Sequence, residues 1–164
     1  MIFVTVGTHE QPFDRLLKCI DKMVEDGQIK EEVIIQKGYT DYKPQHCKSE
    51  KLIGYEEMQK NIAEARIVVT HGGPASFIAP LSIGKIPIVV PRQKDYNEHV
   101  NNHQLEFAKE VATRMKNIIV AEDEEEIVDS ILNYEKKVKK LNNKNNSNNK
   151  KFNESLEKEI KKII

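Results

Sequence analysis

The sequence has few of the features that mark membrane, nucleic-acid-binding or secreted proteins. No apolar run among its 164 residues is long enough to cross a bilayer, which argues against an integral membrane protein. Lysine plus arginine equals aspartate plus glutamate at 26 each, so the zero net charge gives no general electrostatic reason to bind nucleic acid. Met1 leads directly into a β-branched run without a basic stretch or an apolar signal core, which predicts a cytoplasmic protein.

Cysteine is equally scarce. Cys19 and Cys47 are the only two, and their positions match neither a zinc-binding spacing nor a disulfide framework. We therefore expect two free thiols. The remaining composition, 38% hydrophobic and 32% charged, is typical of a polar globular chain, and the length leaves room for one core of ordinary size.

Short β-branched runs alternate with amphipathic stretches, a pattern that favours a parallel sheet covered by helices over a sandwich or a helical bundle. Gly27, Gly38 and Gly84 each end one of these runs. The pattern predicts an α/β domain over residues 1–141. We expect strands at 2–6, 33–36, 52–53, 67–70, 86–90 and 118–120, a loop at 39–50, and helices at about 12–26, 58–65, 75–83, 100–111 and 122–141.

The end of the chain differs from the rest. Six of the eight residues from 142 to 149 are asparagine, a composition too polar to offset the entropy of ordering it, which predicts a linker over residues 142–150. Residues 151–164 carry apolar side chains at helical spacing. A single helix of this length is marginal in water, so we expect it to dock on its own domain, on a partner protein or on a membrane surface.

In an open parallel sheet, ligands bind where the carboxyl ends of strands lead into helix N-termini. Gly7 and Thr8 follow the first predicted strand and offer unobstructed amides and a hydroxyl, which either bonds a phosphate or only caps the next helix. His71 to Ser76 places two glycines at the opening of a helix, where amides and the helix dipole favour an anion. A Gly-Gly pair also forms ordinary tight turns, and the pattern is neither a P-loop nor a GxGxxG fingerprint, so both interpretations stay open.

Residues 91–104 concentrate side chains that bind sugar hydroxyls. Glu98 and His99 are candidates for proton transfer or hydroxyl binding, with a solvated surface as the alternative. His103 and Gln104 lie one step from the apolar face of the predicted helix and fit a pocket wall. His99 and His103 are four residues apart, but no HExxH or matching carboxylate pattern accompanies them, so we expect no metal site.

Taken together, these stretches resemble a known family. Residues 65–111, ARIVVTHGGPASFIAPLSIGKIPIVVPRQKDYNEHVNNHQLEFAKEV, strongly resemble the C-terminal, nucleotide-sugar-binding half of family 28 glycosyltransferases. The start, IFVTVGTHEQPFDRLL, and IIQKG at 34–38 extend the resemblance over roughly the first 120 residues. The chain is most similar to short, single-domain members, namely the nucleotide-binding subunit of the split dolichol-pathway UDP-N-acetylglucosamine transferase and the two-chain bacterial capsular and exopolysaccharide transferases.

The resemblance implies a Rossmann-like, doubly wound parallel sheet, the C-terminal half of a GT-B glycosyltransferase, which holds a UDP-sugar and needs no metal or other cofactor. It also implies a membrane-anchored partner chain that binds a lipid-linked saccharide acceptor and keeps this cytoplasmic chain at the inner face of the membrane. Carried onto matching positions, it places the pyrophosphate at Gly7, Thr8, Gly72, Gly73 and Ser76, the base beside Gln36 and Gly38, and the donor sugar at His103 and Gln104, near Glu98 and His99. His71 is included among the residues expected to bind the nucleotide sugar.

One position departs from the family pattern. Many relatives carry a glutamate that holds the ribose five residues before the glycine that matches Gly84, and this chain has Ala79 there. A carboxylate on a ribose diol makes charge-assisted hydrogen bonds worth about 1.5–3 kcal/mol each. Its absence predicts weaker nucleotide binding unless another group replaces it.

These observations lead to a main hypothesis and an alternative. The main hypothesis is inverting transfer of a hexose, with galactose as one candidate, from a UDP-sugar to a lipid-linked saccharide in capsular or exopolysaccharide synthesis, with Glu98 or His99 as the base unless the partner supplies it. The alternative is a non-catalytic enhancer that binds and stabilises a catalytic glycosyltransferase. Ala79 favours the enhancer, whereas the polar loop at 92–104 favours catalysis. A sugar-nucleotide epimerase is disfavoured because we find no second nucleotide site in the sequence.

Overall fold

The fold comes from a computed structural model, which describes residues 1–144 and Lys158. The predicted linker and C-terminal helix fall outside the described residues, apart from 142–144 and Lys158. Both therefore stay predictions.

The described chain forms a six-stranded sheet in which all strand pairs are parallel, in the order β3-β2-β1-β4-β5-β6. Every connection between consecutive strands except that from β2 to β3 contains a helix, which is the doubly wound arrangement that the sequence predicts. The elements in chain order are β1 (Ile2–Thr5), α1 (Asp14–Glu25), β2 (Val33–Gln36), β3 (Lys48–Glu50), α2 (Tyr55–Glu64), β4 (Ile67–His71), α3 (Pro74–Ser82), β5 (Ile88–Val90), a 3₁₀ turn (Lys94–Tyr96), α4 (His103–Met115), β6 (Ile119–Val120), α5 (Glu124–Leu132) and α6 (Tyr134–Lys144).

The sheet reverses its direction of growth between β1 and β4. Thr5, the last residue of β1, pairs with Gln36 of β2 on one side and with Thr70 of β4 on the other. The loops after β1, β2 and β4 therefore emerge side by side at the carboxyl end of the sheet. In folds of this kind the crevice at such a reversal is where ligands bind.

The core lies on both faces of the sheet, which explains why the central strands are continuous apolar runs. Val4 of β1 packs in a cluster with Leu16 and Ile20 of α1, whereas its neighbour Phe3 packs on the other face with Ile62 of α2. Successive residues of a strand point to opposite faces, so a strand covered on both sides needs apolar side chains at every position.

The structure corrects the prediction for the segment after β2. Residues 48–50, predicted as loop, form the edge strand β3, and residues 52–53, predicted as strand, lie outside it. The strand is polar and largely exposed, with the sequence Lys-Ser-Glu, so hydrophobic patterning gives no signal for it. Its pairing with β2 decides its structure, since the Lys37 amide, just after β2, donates to the Glu50 carbonyl at 2.8 Å.

Two helix predictions also change. The helix expected from about residue 100 begins at His103, so His99 precedes it and the two histidines do not share a helix face. The single helix expected at 122–141 is divided at Asn133 into α5 and α6. At the division the buried Tyr134 donates its hydroxyl to the Ile86 carbonyl at 2.6 Å. Helix α6 runs to Lys144, three residues past the predicted boundary of the domain.

Candidate functional site

A cleft of about 810 Å³ lies at the carboxyl end of the sheet, at the reversal between β1 and β4. Its walls come from the loop after β1, the start of α3 and one face of α2, and the ends of β1 and β2 complete it. A cleft of this size and position fits a nucleotide or nucleotide sugar. The lining residues are Thr5, Gly7, Thr8, His9, Glu10, Gln36, Met58, Gln59, Ile62, His71, Gly73, Pro74, Ala75, Ser76 and Ala79.

The start of α3 opens into this cleft. Gly73 is the N-cap residue and Pro74 follows as the first helical residue. The Gly73 amide donates to Nδ1 of His71 at 3.1 Å, so this amide is already engaged. The first-turn amide of Ala75 has no intrahelical acceptor, and the Ser76 hydroxyl lies beside it. The helix start therefore presents the Ala75 amide and the Ser76 hydroxyl to a bound anion, rather than the Gly73 amide that the sequence suggests.

His71 connects the two loops that border the cleft. Because its Nδ1 accepts from Gly73, its Nε2 carries the proton and donates to the Ser76 hydroxyl at 2.9 Å. Burial is the main cause that lowers the pKa of His71 to about 3, and the positive charge of Arg92 adds to it. His71 is therefore neutral at physiological pH, and the Ser76 hydroxyl keeps its own proton to donate to a ligand.

Glycine is required on both sides of the His71 ring. Gly7 has φ +75°, and a β-carbon there would lie 2.3 Å from Nε2 of His71. A β-carbon on Gly73 would lie 2.2 Å from Cε1 of the same ring. Gly72 does not line the cleft, and a β-carbon on it would meet Cβ of Gln104 at 2.9 Å. Gly7 and Gly73 therefore make room for His71, and Gly72 allows α4 to pack closely.

The loop after β1 and the end of β2 form the opposite side of the cleft. The Gly7 amide donates to Oγ1 of Thr5 at 3.2 Å, so the exposed Thr8 hydroxyl is the donor that the loop presents next. Gln36 lines the cleft, and its amide is held by Thr5 Oγ1 at 3.1 Å and by the Ile53 amide at 2.9 Å. Gly38 lies behind this wall, where a β-carbon would be 2.6 Å from the Gly7 carbonyl oxygen.

The structure places Glu98, a predicted catalytic base, outside the lining of the cleft. Its side chain is buried, and its two oxygens accept from Nε and Nη2 of Arg15, each at 3.0 Å. The Gln93 amide donates to it as well, at 3.2 Å. Both oxygens of Glu98 are thus engaged by the chain's own donors. Glu98 instead holds α1 against the loop after β5.

The other polar residues of that loop are also separated from the cleft. The His99 ring stacks on His9 with ring centres 4.5 Å apart. Burial is the main cause that lowers the pKa of His99, and its electrostatic interactions with His9 and Arg92 add to it. His103 is exposed at the start of α4, and Gln104 accepts the Arg92 amide at 3.1 Å. None of these residues except His9 lines the cleft, so a donor sugar reaches them only if it extends beyond the described pocket.

Sequence reasoning gave no role to His9. Its Nε2 bonds Oε1 of Gln11 at 2.9 Å, while Nε2 of Gln11 donates to the Asn97 carbonyl at 3.4 Å. The glutamine oxygen is therefore the acceptor and Nε2 of His9 is the donor, which in the neutral form of the ring leaves the lone pair on Nδ1. A histidine two residues after a glycine turn has no sequence signal of its own, because the stacking on His99 joins residues ninety apart.

Other expectations can be compared with the same part of the chain. Both cysteines are free thiols, and burial raises the pKa of each to about 12. Residues 1–144 and Lys158 contain no group of three or more His, Cys, Asp or Glu side chains arranged to hold a metal ion. Among the helices that the structure describes, none has the length and apolar character needed to span a bilayer.

With the glycine loops and the cleft in place, comparison with known proteins decides the family. The sequence matches the glycosyltransferase family 28 C-terminal domain over residues 1–160. The chain belongs to this family. The resemblance in the first 120 residues is thereby confirmed, and so is the Rossmann-like, doubly wound sheet that forms the C-terminal half of GT-B enzymes.

Individual relatives agree with this assignment. The UDP-N-acetylglucosamine transferase subunit ALG13 of Homo sapiens is 31% identical over 119 residues, which cover 67% of this chain and 10% of that protein. The ALG13 subunit of Yarrowia lipolytica is 31% identical over 72 residues, 44% of this chain and 34% of that one. The chain thus matches about a tenth and a third of the lengths of these relatives.

A solved structure shares the fold. The glycosyltransferase SnogD from Streptomyces nogalater superposes with a TM-score of 0.52 at 14% identity, over 85% of this chain and 39% of SnogD. At this identity the likeness concerns the fold alone. The structural match also covers less than half of the larger protein, as expected for a single Rossmann-like domain.

Proposed function

We propose that this chain is the nucleotide-sugar-binding subunit of a UDP-sugar-dependent hexosyltransferase. The observation that carries the proposal is the cleft of about 810 Å³ at the reversal of the sheet, bordered by the loop after β1 and the start of α3. Family membership and the similarity to two proteins named UDP-N-acetylglucosamine transferase subunits support a UDP-sugar as the donor.

The polar end of the cleft suits a diphosphate. The Ala75 amide, the Ser76 hydroxyl and the Thr8 hydroxyl surround it, and the positive end of the α3 dipole adds to them. These groups stabilise the negative charge that develops on the departing UDP, which is the work that a metal ion does in other transferases. The proposed transfer therefore needs no metal, and we propose that it inverts the anomeric configuration, as in the main hypothesis drawn from the sequence.

The apolar end of the cleft suits the base. Met58 and Ile62 of α2 lie there with the fixed amide of Gln36. Ala79 belongs to the same lining and packs with the apolar cluster of Ile62. No carboxylate stands at that position to hold the ribose, so the polar side chain of Gln59, on the adjoining helix, is the group that we assign to the ribose.

We assign proton acceptance from the acceptor hydroxyl to His9. It lines the cleft, its Nε2 is engaged by Gln11 so that Nδ1 is the nitrogen left for a substrate proton, and Gln11 and the His99 ring fix its orientation. The H9N variant is expected to lower kcat by about 100-fold or more with little change in the affinity for UDP. H46N, which alters an exposed histidine outside the cleft lining, is the matched control. Unchanged kcat in H9N would place the base on the partner.

The acceptor side of the cleft must come from elsewhere. The described lining belongs to one domain, and GT-B enzymes close their cleft with a second domain. We propose a membrane-anchored partner chain that binds a lipid-linked saccharide, as in capsular or exopolysaccharide synthesis, and that brings this cytoplasmic chain to the inner face of the membrane. Galactose is one candidate for the transferred hexose.

A non-catalytic enhancer remains the second candidate, since Ala79 replaces the ribose-binding carboxylate. Calorimetry of the full chain with UDP separates the two. Binding in the micromolar range supports the donor-binding subunit, as does transfer of label from UDP-hexoses to a lipid-linked acceptor when the partner is present. Absence of UDP binding both with and without the partner would refute the transferase and favour the enhancer.

A further inference from the structure

Arg92 is a wholly buried cation beneath the loop after β1. Its exposed fraction is 0%, and its guanidinium lies over the Phe13 ring with its central carbon 5.0 Å from the ring centre. Nη2 donates to the Val6 carbonyl at 2.7 Å and Nη1 donates to the Gln11 carbonyl at 2.7 Å. Nη1 also donates to the Glu98 carbonyl at 3.1 Å. One guanidinium therefore bonds to both ends of the loop that contains residues 7–10.

No carboxylate hydrogen-bonds to this guanidinium among the contacts that the structure describes. The negative charge of Glu98 acts on the pKa of Arg92, but its two carboxylate oxygens accept hydrogen bonds from Arg15 instead. Two guanidiniums thus share one carboxylate, which leaves one buried positive charge in excess. Nε of Arg92 is buried without a hydrogen-bond partner in the described structure. Burying a cation in this way is costly, so its retention needs an explanation beyond packing.

The field of Arg92 reaches the cleft. After burial, its charge is the largest cause of the lowered pKa of His71, which lines the cleft, and it also lowers the pKa of His99. Arg92 donates to the carbonyls of Val6 and Gln11, and the four residues between them, 7–10, all line the cleft. The same side chain therefore determines the shape of this wall and contributes positive potential to it.

We propose that Arg92 is the positioning residue of the diphosphate site: it fixes the loop at residues 7–10 and supplies, from beneath that loop, the uncompensated positive charge that favours UDP over uncharged uridine. This inference rests on the proposed donor-binding function. It assigns a role to a residue of the 91–104 segment that reaches no ligand directly.

The test compares three variants of the full chain. R92M removes the charge and keeps an apolar stem, R92K keeps the charge but not the planar arrangement of donors, and R114M is the control. Arg114 is exposed on α4 and, among the residues that the structure describes, forms its ion pair with Glu110, so R114M makes the same change in net charge away from the cleft. The measurements are calorimetric affinities for UDP and for uridine, and hydrogen exchange of the amides at residues 8–10.

The ratio of the two affinities reports the charge at the diphosphate, because a general loss of folding affects both ligands alike. In R92M the preference for UDP over uridine is expected to fall about tenfold or more, and the loop amides are expected to exchange at least about tenfold faster than in the wild type. In R92K the preference stays within about threefold of the wild type, while the loop still exchanges faster. R114M changes neither quantity.

Other results overturn the inference or the function separately. An unchanged UDP preference in R92M, or one that falls equally in R114M, refutes the role of the buried charge. Unchanged loop exchange in R92M and R92K refutes the positioning role. Wild-type protein that binds UDP no better than uridine refutes the diphosphate site itself, and loop exchange then still decides whether Arg92 orders residues 7–10. If R92M does not fold, R92K decides alone through its loop exchange and its affinity ratio.

Discussion

The neutral, buried His71 makes the stability of this protein depend on pH in a way that one substitution removes. Its Nδ1 accepts from Gly73 and its Nε2 donates to Ser76, so a second ring proton would break the first of these bonds. Burial and the charge of Arg92 lower its pKa from 6.5 to about 3. Unfolding frees the ring to titrate near 6.5, and the unfolded chain therefore binds more protons than the folded chain between these values.

The sign and size follow from that difference. Because the folded pKa is the lower one, the stabilisation is complete above about pH 7 and is lost as the pH falls toward 3. With pKa values of 6.5 and about 3, this histidine alone lowers the free energy of unfolding by about 2.5 kcal/mol between pH 7.5 and 4.5. Carboxylates with lowered pKa values, such as Asp21, also stabilise the fold less as the pH falls. The pH dependence of wild-type stability alone therefore cannot isolate the contribution of His71.

The H71N variant isolates it. The asparagine oxygen can accept the Gly73 amide in place of Nδ1, and the side chain does not titrate. Urea unfolding of wild type and H71N at a series of pH values from 7.5 to 4.5 should show a difference in free energy that shrinks by about 2.5 kcal/mol as the pH falls. H46N, at an exposed histidine, is the control, and its difference from the wild type should change by less than about 1 kcal/mol over the same pH range. Parallel profiles for wild type and H71N would refute a neutral His71 in the folded state.

Three further outcomes test the site. In denaturant titrations, G7A is expected to lower the free energy of unfolding by about 3 kcal/mol and the control G27A by about 1 kcal/mol. Both glycines have positive φ, but of the two only Gly7 faces the His71 ring, so equal losses would contradict that packing. E98Q is expected to cost about 3 kcal/mol of stability by leaving Arg15 without its carboxylate, and a wild-type melting temperature would restore Glu98 as a candidate base. A79E should raise the calorimetric affinity for UDP about tenfold but raise the affinity for 2′-deoxy-UDP much less, because the added carboxylate would bind the ribose hydroxyls. An equal gain for both nucleotides would exclude the ribose as the target of the carboxylate.

The comparison of Gly73 with Glu98 shows what local patterns in a sequence can predict. The sequence predicts Gly73 at the start of a helix, and it is the N-cap of α3 in the wall of the cleft, because a strand followed by two glycines and a helix is a local pattern. Glu98 was placed in a ligand-binding loop because a dense run of polar residues has the same local signature whether it binds a ligand or its own chain. Its partner Arg15 lies 83 residues away, and local patterning carries no information about that distance.

The sequence by itself determined the fold class and the family. Strands buried on both faces must be continuous apolar runs, so β1 and β4 are recognisable without any partner, and the amphipathic period of α1 follows from its contact with one face of the sheet. Only the tertiary structure decided which polar groups meet. The strand order brings the loop after β1 beside α3. Burial and the nearby Arg92 cation then keep His71 neutral in the wall of the cleft, because desolvation and pairing depend on neighbours in space.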